Sequence, residues 1–194
     1  MDREIEDIDA LIDHAGGSAF LYGHSSGATL AMHAAVRLSG RIGRIAMYDA
    51  PHNDAPDAEE SWTEYLKELR RTLADGRRGD AIELFMRFVG TPGDQVGAMR
   101  REPFWPSMEA IAPTLAYDHA TIIGDRWSAP TDLAAQLAVP ALVIAGDASF
   151  AFMPGAAKTL GKAMPHGQLR ILKDQAHNVD PGVLAPVLTD FFAG

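Results

Sequence analysis

The chain contains no cysteine. That absence excludes a disulfide framework, a thiolate nucleophile and any thiolate-held zinc or iron–sulfur centre. Long apolar runs are also missing, and none approaches the roughly 18 residues needed to span a bilayer. Positive charge is scarce, with 17 Lys and Arg against 26 Asp and Glu and a net charge of -9. Neither nucleic acid nor an anionic membrane is therefore an expected partner. The first residues, Met1-Asp2-Arg3-Glu4-Ile5-Glu6-Asp7, are acidic and amphipathic rather than basic and then apolar. They do not read as a signal peptide, and a soluble, cytoplasmic chain is expected. No internal repeat or low-complexity tract interrupts the sequence.

What is present suits one well-cored domain carrying a small subdomain: 194 residues, 47% of them hydrophobic. Ile5, Ile8, Leu11 and Ile12 share one helical face, and Gly16-Gly17 end that helix. Ser18 to Tyr22 reads as a short buried strand. A helix begins near Ser26 with the small residues Ala28, Ala31 and Ala35 on its packed side, and Arg44 to Tyr48 is a second strand. Residues 52–137 change character and read as an all-helical insertion. Ser61-Trp62-Thr63-Glu64 has the form of a capping box, and Asp80 is placed to cap the next helix. After Pro140 come a buried strand over Ala141 to Ala145, a helix from Pro154, a strand ending at Leu172, a loop holding His177 and a closing helix from Pro181. Strands alternating with helices predict a parallel sheet of about four strands with helices on both faces, in two core parts, 1–51 and 138–194.

Gly23-His24-Ser25-Ser26-Gly27 has the form G-x-S-x-G, placed between a strand and a helix. A serine on such a sharp turn presents its hydroxyl above the sheet, the flanking glycines remove clashing side chains, and the helix start offers N–H groups to developing negative charge. Ser25 is the expected nucleophile and the Ser26 N–H an oxyanion donor. A serine nucleophile needs a base, and His177, following the last strand, is the candidate. The other histidines have plainer readings: His24 packs beside the nucleophile or lines the substrate site, and His52, after the second strand, is expected to face solvent, with the pocket wall as its alternative.

These residues in this order resemble the α/β-hydrolase fold family, in its capped branch, whose members include esterases, epoxide hydrolases and haloalkane dehalogenases. The resemblance runs over essentially the whole chain and implies that residues 52–137 are the cap. It implies a Ser-His-Asp triad. The acid in most relatives stands three residues after the glycine ending the seventh strand, where this chain has Ser149. Asp49, at the end of the sixth strand, is favoured, and Asp147 is the alternative. The resemblance further implies four strands, and a loop donating a second oxyanion N–H, ahead of the elbow. Roughly 60 to 70 residues of that kind do not precede it here. The elbow strand is then expected to be a sheet edge that pairs with a second copy, and turnover is expected to be reduced.

The expected activity is hydrolysis of a carboxylic ester or related acyl substrate, with no cofactor and no metal. The alternatives are a ligand-binding or catalytically incompetent member of the same fold. His24, Trp62, Phe104, Trp105 and Trp127 are the candidates for lining the substrate site, although most of the aromatic residues in the insertion are expected to pack its helices together. No motif identifies a particular acid or alcohol group.

Overall fold

The computed structural model describes all 194 residues. Four parallel strands form one sheet in the order β1-β2-β3-β4: β1 (Ala19–His24), β2 (Ile42–Tyr48), β3 (Ala141–Gly146) and β4 (Gly167–Leu172). Each step along the sheet passes through a helix or helices, as parallel pairing requires. The chain divides into two compact units, Met1–Ala55 with Ser128–Gly194, and Pro56–Trp127. The first holds the sheet; the second is entirely helical.

The sheet is covered on both faces, because alternate residues of its inner strands point opposite ways. Ile45 and Met47 of β2 and Val143 and Ala145 of β3 enter one core. There they meet Ile12 of α1 (Asp2–His14), Ala28 and Met32 of α2 (Ser26–Arg37), and Leu160 of α9 (Met153–Ala163). Ala46, Tyr48, Leu142 and Ile144 enter a second core with Leu184 and Phe191 of α10 (Pro181–Ala193). Each large side chain so buried stabilises the unit by about 1.5–3 kcal/mol before the cost of ordering it. Every residue of β3 is buried. That explains why its sequence is a continuous apolar run rather than an alternating one. β1 hydrogen-bonds only to β2 and is a sheet edge, with Phe20 and Tyr22 exposed.

In the helical unit, α3 (Ala58–Ala74) buries Trp62, Tyr65, Leu66 and Leu69, whose spacing puts them on one helical face. Its beginning differs from the capping-box reading. The helix starts one turn earlier, because the Ser61 N–H already donates to Asp57 O at 3.0 Å. Nor does Asp80 cap α4 (Arg78–Phe88), whose cap position is Arg77. Asp80 lies in the first turn and pairs with Arg77 and Arg100, so two guanidiniums outcompete the backbone for its oxygens. Short helices α5 (Gly93–Met99), α6 (Trp105–Ile111) and α7 (Pro113–Asp118) follow, then a π-helical turn over His119–Ile123 that ends at Gly124, φ 81°. Back in the sheet-bearing unit, one short helix, α8 (Thr131–Ala134), precedes β3.

Candidate active site

Ser25 stands between β1 and α2 with φ 57° and ψ -128°. This region is strained for a residue with a side chain, at about 1–3 kcal/mol, and it persists only where the surroundings hold it. Here the Ser25 N–H donates to Tyr48 O at 2.9 Å and the Ser25 carbonyl accepts the Ala28 N–H at 2.9 Å. The strain swings the chain from strand directly into helix and leaves Ser26, with its N–H, as the first helical residue. The two glycines of the motif differ. A Cβ on Gly23 would lie 2.2 Å from Gly27 O and 2.7 Å from Ala28 Cα, whereas one on Gly27 would meet nothing within 4 Å. The clash expected of both glycines applies to Gly23 alone, since only its Cβ direction faces the returning helix.

Asp49 extends the ladder past β2, its N–H donating to Ile144 O at 2.9 Å, and then turns at φ 50°. Its carboxylate is fully buried and meets three donors. Oδ1 accepts the Gly146 N–H at 3.2 Å, and Oδ2 accepts both the Ser149 hydroxyl at 2.5 Å and His177 Nδ1 at 3.0 Å. A histidine donating from Nδ1 keeps Nε2 as its acceptor in the neutral form, the tautomer a general base requires. Asp147, by contrast, is exposed, and its Oδ1 accepts the Asp174 N–H at 2.6 Å, so it ties the turn after β4. Of the two carboxylates weighed from sequence, Asp49 is the one against the imidazole.

The loop carrying His177 is fastened at several points. The Tyr48 hydroxyl donates to Ala176 O at 2.6 Å, and the Ala148 N–H donates to Gln175 O at 3.0 Å. Gln175 O also packs against Gly146, where a Cβ would come within 2.0 Å of it. Burial, then the Asp49 charge, pushes the Tyr48 phenol above its ordinary range, so it stays protonated and remains a donor. The His24 ring meets His177 edge-on at 4.8 Å and Tyr48 at 5.2 Å. Burial first, and the neighbouring His177 second, hold the His24 pKa below its ordinary value, which favours a neutral ring beside Ser25. Phe150 approaches His177 at 5.3 Å.

His52 is a correction. It is 1% exposed rather than facing solvent, and its Nε2 is 2.9 Å from the equally buried Thr29 Oγ1 on α2. The strand end folds it inward, and Thr29, on the face of α2 opposite solvent, provides the partner that makes its burial affordable. In the helical unit, Trp62, Trp105 and Trp127 are buried, and Phe104 is exposed. Trp62 stacks on Trp127 at 5.7 Å and Trp105 Nε1 donates to Glu109, so these tryptophans are parts of that unit's own packing. The sequence reading does not name Tyr48 as a neighbour of the site and marks Ser149 only as the place where relatives carry the acid. Tyr48 precedes Asp49 directly and Ser149 follows Gly146 by three residues, but only the β2–β3 register, Tyr48 against Ile144, brings both strand ends level.

The sequence model of the alpha/beta hydrolase family matches residues 2–187. No curated protein sequence matches the chain. Among solved structures, an alpha/beta hydrolase from Sphaerobacter thermophilus is 42% identical, with a TM-score of 0.83, covering 98% of this chain and 74% of that one. A thermophilic esterase from Thermogutta terrifontis is 21% identical, TM-score 0.57, over 97% of this chain and 69% of that one. The 2-hydroxy-6-oxo-6-phenylhexa-2,4-dienoate hydrolase of Rhodococcus sp. strain RHA1 is 17% identical, TM-score 0.61, over 98% and 69%. The last two share the fold. With its parallel sheet, its strained elbow and a family match over nearly its whole length, the chain belongs to the alpha/beta hydrolase family.

Proposed function

We propose that the chain is a serine hydrolase of carboxylic esters or related acyl compounds, with Ser25 as nucleophile, His177 as general base and Asp49 as the acid of the triad. The observation that carries this reading is the 3.0 Å bond from His177 Nδ1 to the buried Asp49, in a chain whose Ser25 sits on a strained strand-to-helix turn. In the proposed cycle the Ser25 hydroxyl attacks the acyl carbon while its proton passes to His177 Nε2. Asp49 stabilises the imidazolium that forms. The Ser26 N–H, at the positive end of α2, faces the oxyanion. His177 then gives the proton to the leaving alcohol, and water repeats the sequence on the acyl-enzyme. Under this reading the helical unit is the cap of the fold and bears on substrate choice, and His24, next to Ser25 in the chain, is a substrate contact of the sheet-bearing unit.

Steady-state turnover of a short activated ester tests the reading. Ser25→Ala and His177→Ala should each remove nearly all activity, and the double variant should be no worse, because the two act as a unit. A fully active Ser25→Ala protein would refute the assignment.

A further inference from the structure

We propose that the Ser149 hydroxyl positions the Asp49 carboxylate against His177. The inference deepens the reading above and rests on it for its kinetic consequence. Asp49 is a fully buried anion whose Oδ1 is held by a backbone N–H, that of Gly146 at 3.2 Å. Oδ2 is the oxygen that faces the imidazole, and it is held by a second donor, Ser149 Oγ at 2.5 Å, besides His177 Nδ1 at 3.0 Å. One fixed donor on each oxygen sets the plane of the carboxylate. Without the hydroxyl, Oδ2 keeps the histidine alone, and the group can turn about its last torsion, which is broad and soft.

Ser149 is itself tied to the turn that ends β3. Its N–H approaches Gly146 O at 3.3 Å, so the hydroxyl and the Gly146 N–H reach Asp49 from one rigid piece of backbone. A hydrogen bond to a charged, buried acceptor is among the stronger ones. Asp49 is 0% exposed, so loss of a donor leaves a buried charge less well paired, and the hydroxyl matters for more than packing. Ser149 touches neither substrate nor the reacting atoms in this scheme; it acts through Asp49. Its loss should therefore appear where the imidazolium forms, in kcat, and leave KM nearly unchanged.

Two pairs test the hydroxyl: wild type against Ser149→Ala, which removes the oxygen, and Ser149→Thr against the isosteric Ser149→Val, which separates the hydroxyl from the bulk of the side chain. The account expects Ala and Val to lower kcat by about 10- to 100-fold at near-constant KM, with Thr within a few-fold of wild type. A second readout needs no turnover: the Nδ1 proton of His177, followed by NMR in the intact chain, should keep its hydrogen-bonded shift in wild type and Ser149→Thr and move or broaden in Ala and Val. Folded Ala and Val proteins with unchanged kcat and an unmoved Nδ1 proton would overturn the proposal. A wild type without ester turnover whose Nδ1 proton still responds to the hydroxyl would refute the hydrolase reading and leave the positioning role standing.

Discussion

His177 Nδ1 stands 3.0 Å from Asp49 Oδ2, across 128 positions of sequence. The pair is assembled by topology. β2 and β3 run parallel and in register, so the turn after β2 that holds Asp49 lies level with the one after β3. β4, beside β3, delivers the histidine loop to the same end of the sheet. Ligand and catalytic groups collect at the carboxyl ends of strands in open parallel sheets for this reason.

The two candidate acids should separate sharply. Asp49→Asn should cut kcat by about 10⁴-fold with binding little changed, because the imidazole loses its tautomer and its counter-charge. Asp147→Asn loosens the turn at Asp174 and should change kcat only a few-fold. Steady-state ester kinetics on the two variants decide, and equal, mild losses would mean that neither carboxylate is the acid.

The elbow glycines should be unequal as well. Gly23→Ala sets a Cβ against the Gly27 carbonyl at 2.2 Å, so α2 must move away from β1 and drag Ser25 with it. Activity should be lost and the melting temperature should fall. Gly27→Ala meets open space and should be tolerated in both measurements. Equal sensitivity at the two positions would contradict the geometry described for the turn.

His119 supplies a pH dependence within the helical unit. It is 5% exposed, ringed by Trp62, Tyr65 and Phe85, and burial drives its pKa down to about 4. The unfolded chain therefore binds a proton that the folded chain refuses. Stability from this group is complete above the unfolded value near 6.5 and is lost as pH falls from there toward about 4, by roughly 3 kcal/mol in all. Denaturant titrations at pH 7.5 and 4.5 should show that loss in wild type and a smaller one in His119→Gln. An unchanged difference would show that other groups cause it.

The free edge of β1 carries exposed Phe20 and Tyr22 and has neither charge nor proline to discourage pairing. We propose that the 194-residue chain self-associates through that edge. Sedimentation at tens of micromolar should detect it, and Phe20→Lys should shift the protein toward monomer. A wild type that stays monomeric and thermally stable under those conditions would contradict the expectation.

The strands were legible in the sequence wherever both of their faces are buried, as in Ala141–Gly146, because nothing but a continuous apolar run fits there. The turns that carry Ser25 and His177 were legible, because the G-x-S-x-G pattern fixes a strand-to-helix turn and the histidine loop follows the last strand. The choice between Asp49 and Asp147 was legible in part: position at the strand ends favoured Asp49, and the side-chain direction that sets it against His177 came only with the fold. Ser149 was visible only as a place where an acid was missing; its contact with Asp49 is made by folding. His52 was misjudged because its partner, Thr29, lies on another element. The true start of α3 was hidden by a capping pattern that falls inside the helix. In each case the competing signal was local, and the deciding contact was not.

The central claim is that Ser25 is an activated nucleophile. A fluorophosphonate probe followed by mass spectrometry of the labelled peptide tests it without any assumption about the substrate. The account predicts a single adduct on Ser25, absent in Ser25→Ala and strongly slowed in His177→Ala. A correctly folded wild type that never labels, or that labels equally well in Ser25→Ala, would contradict it.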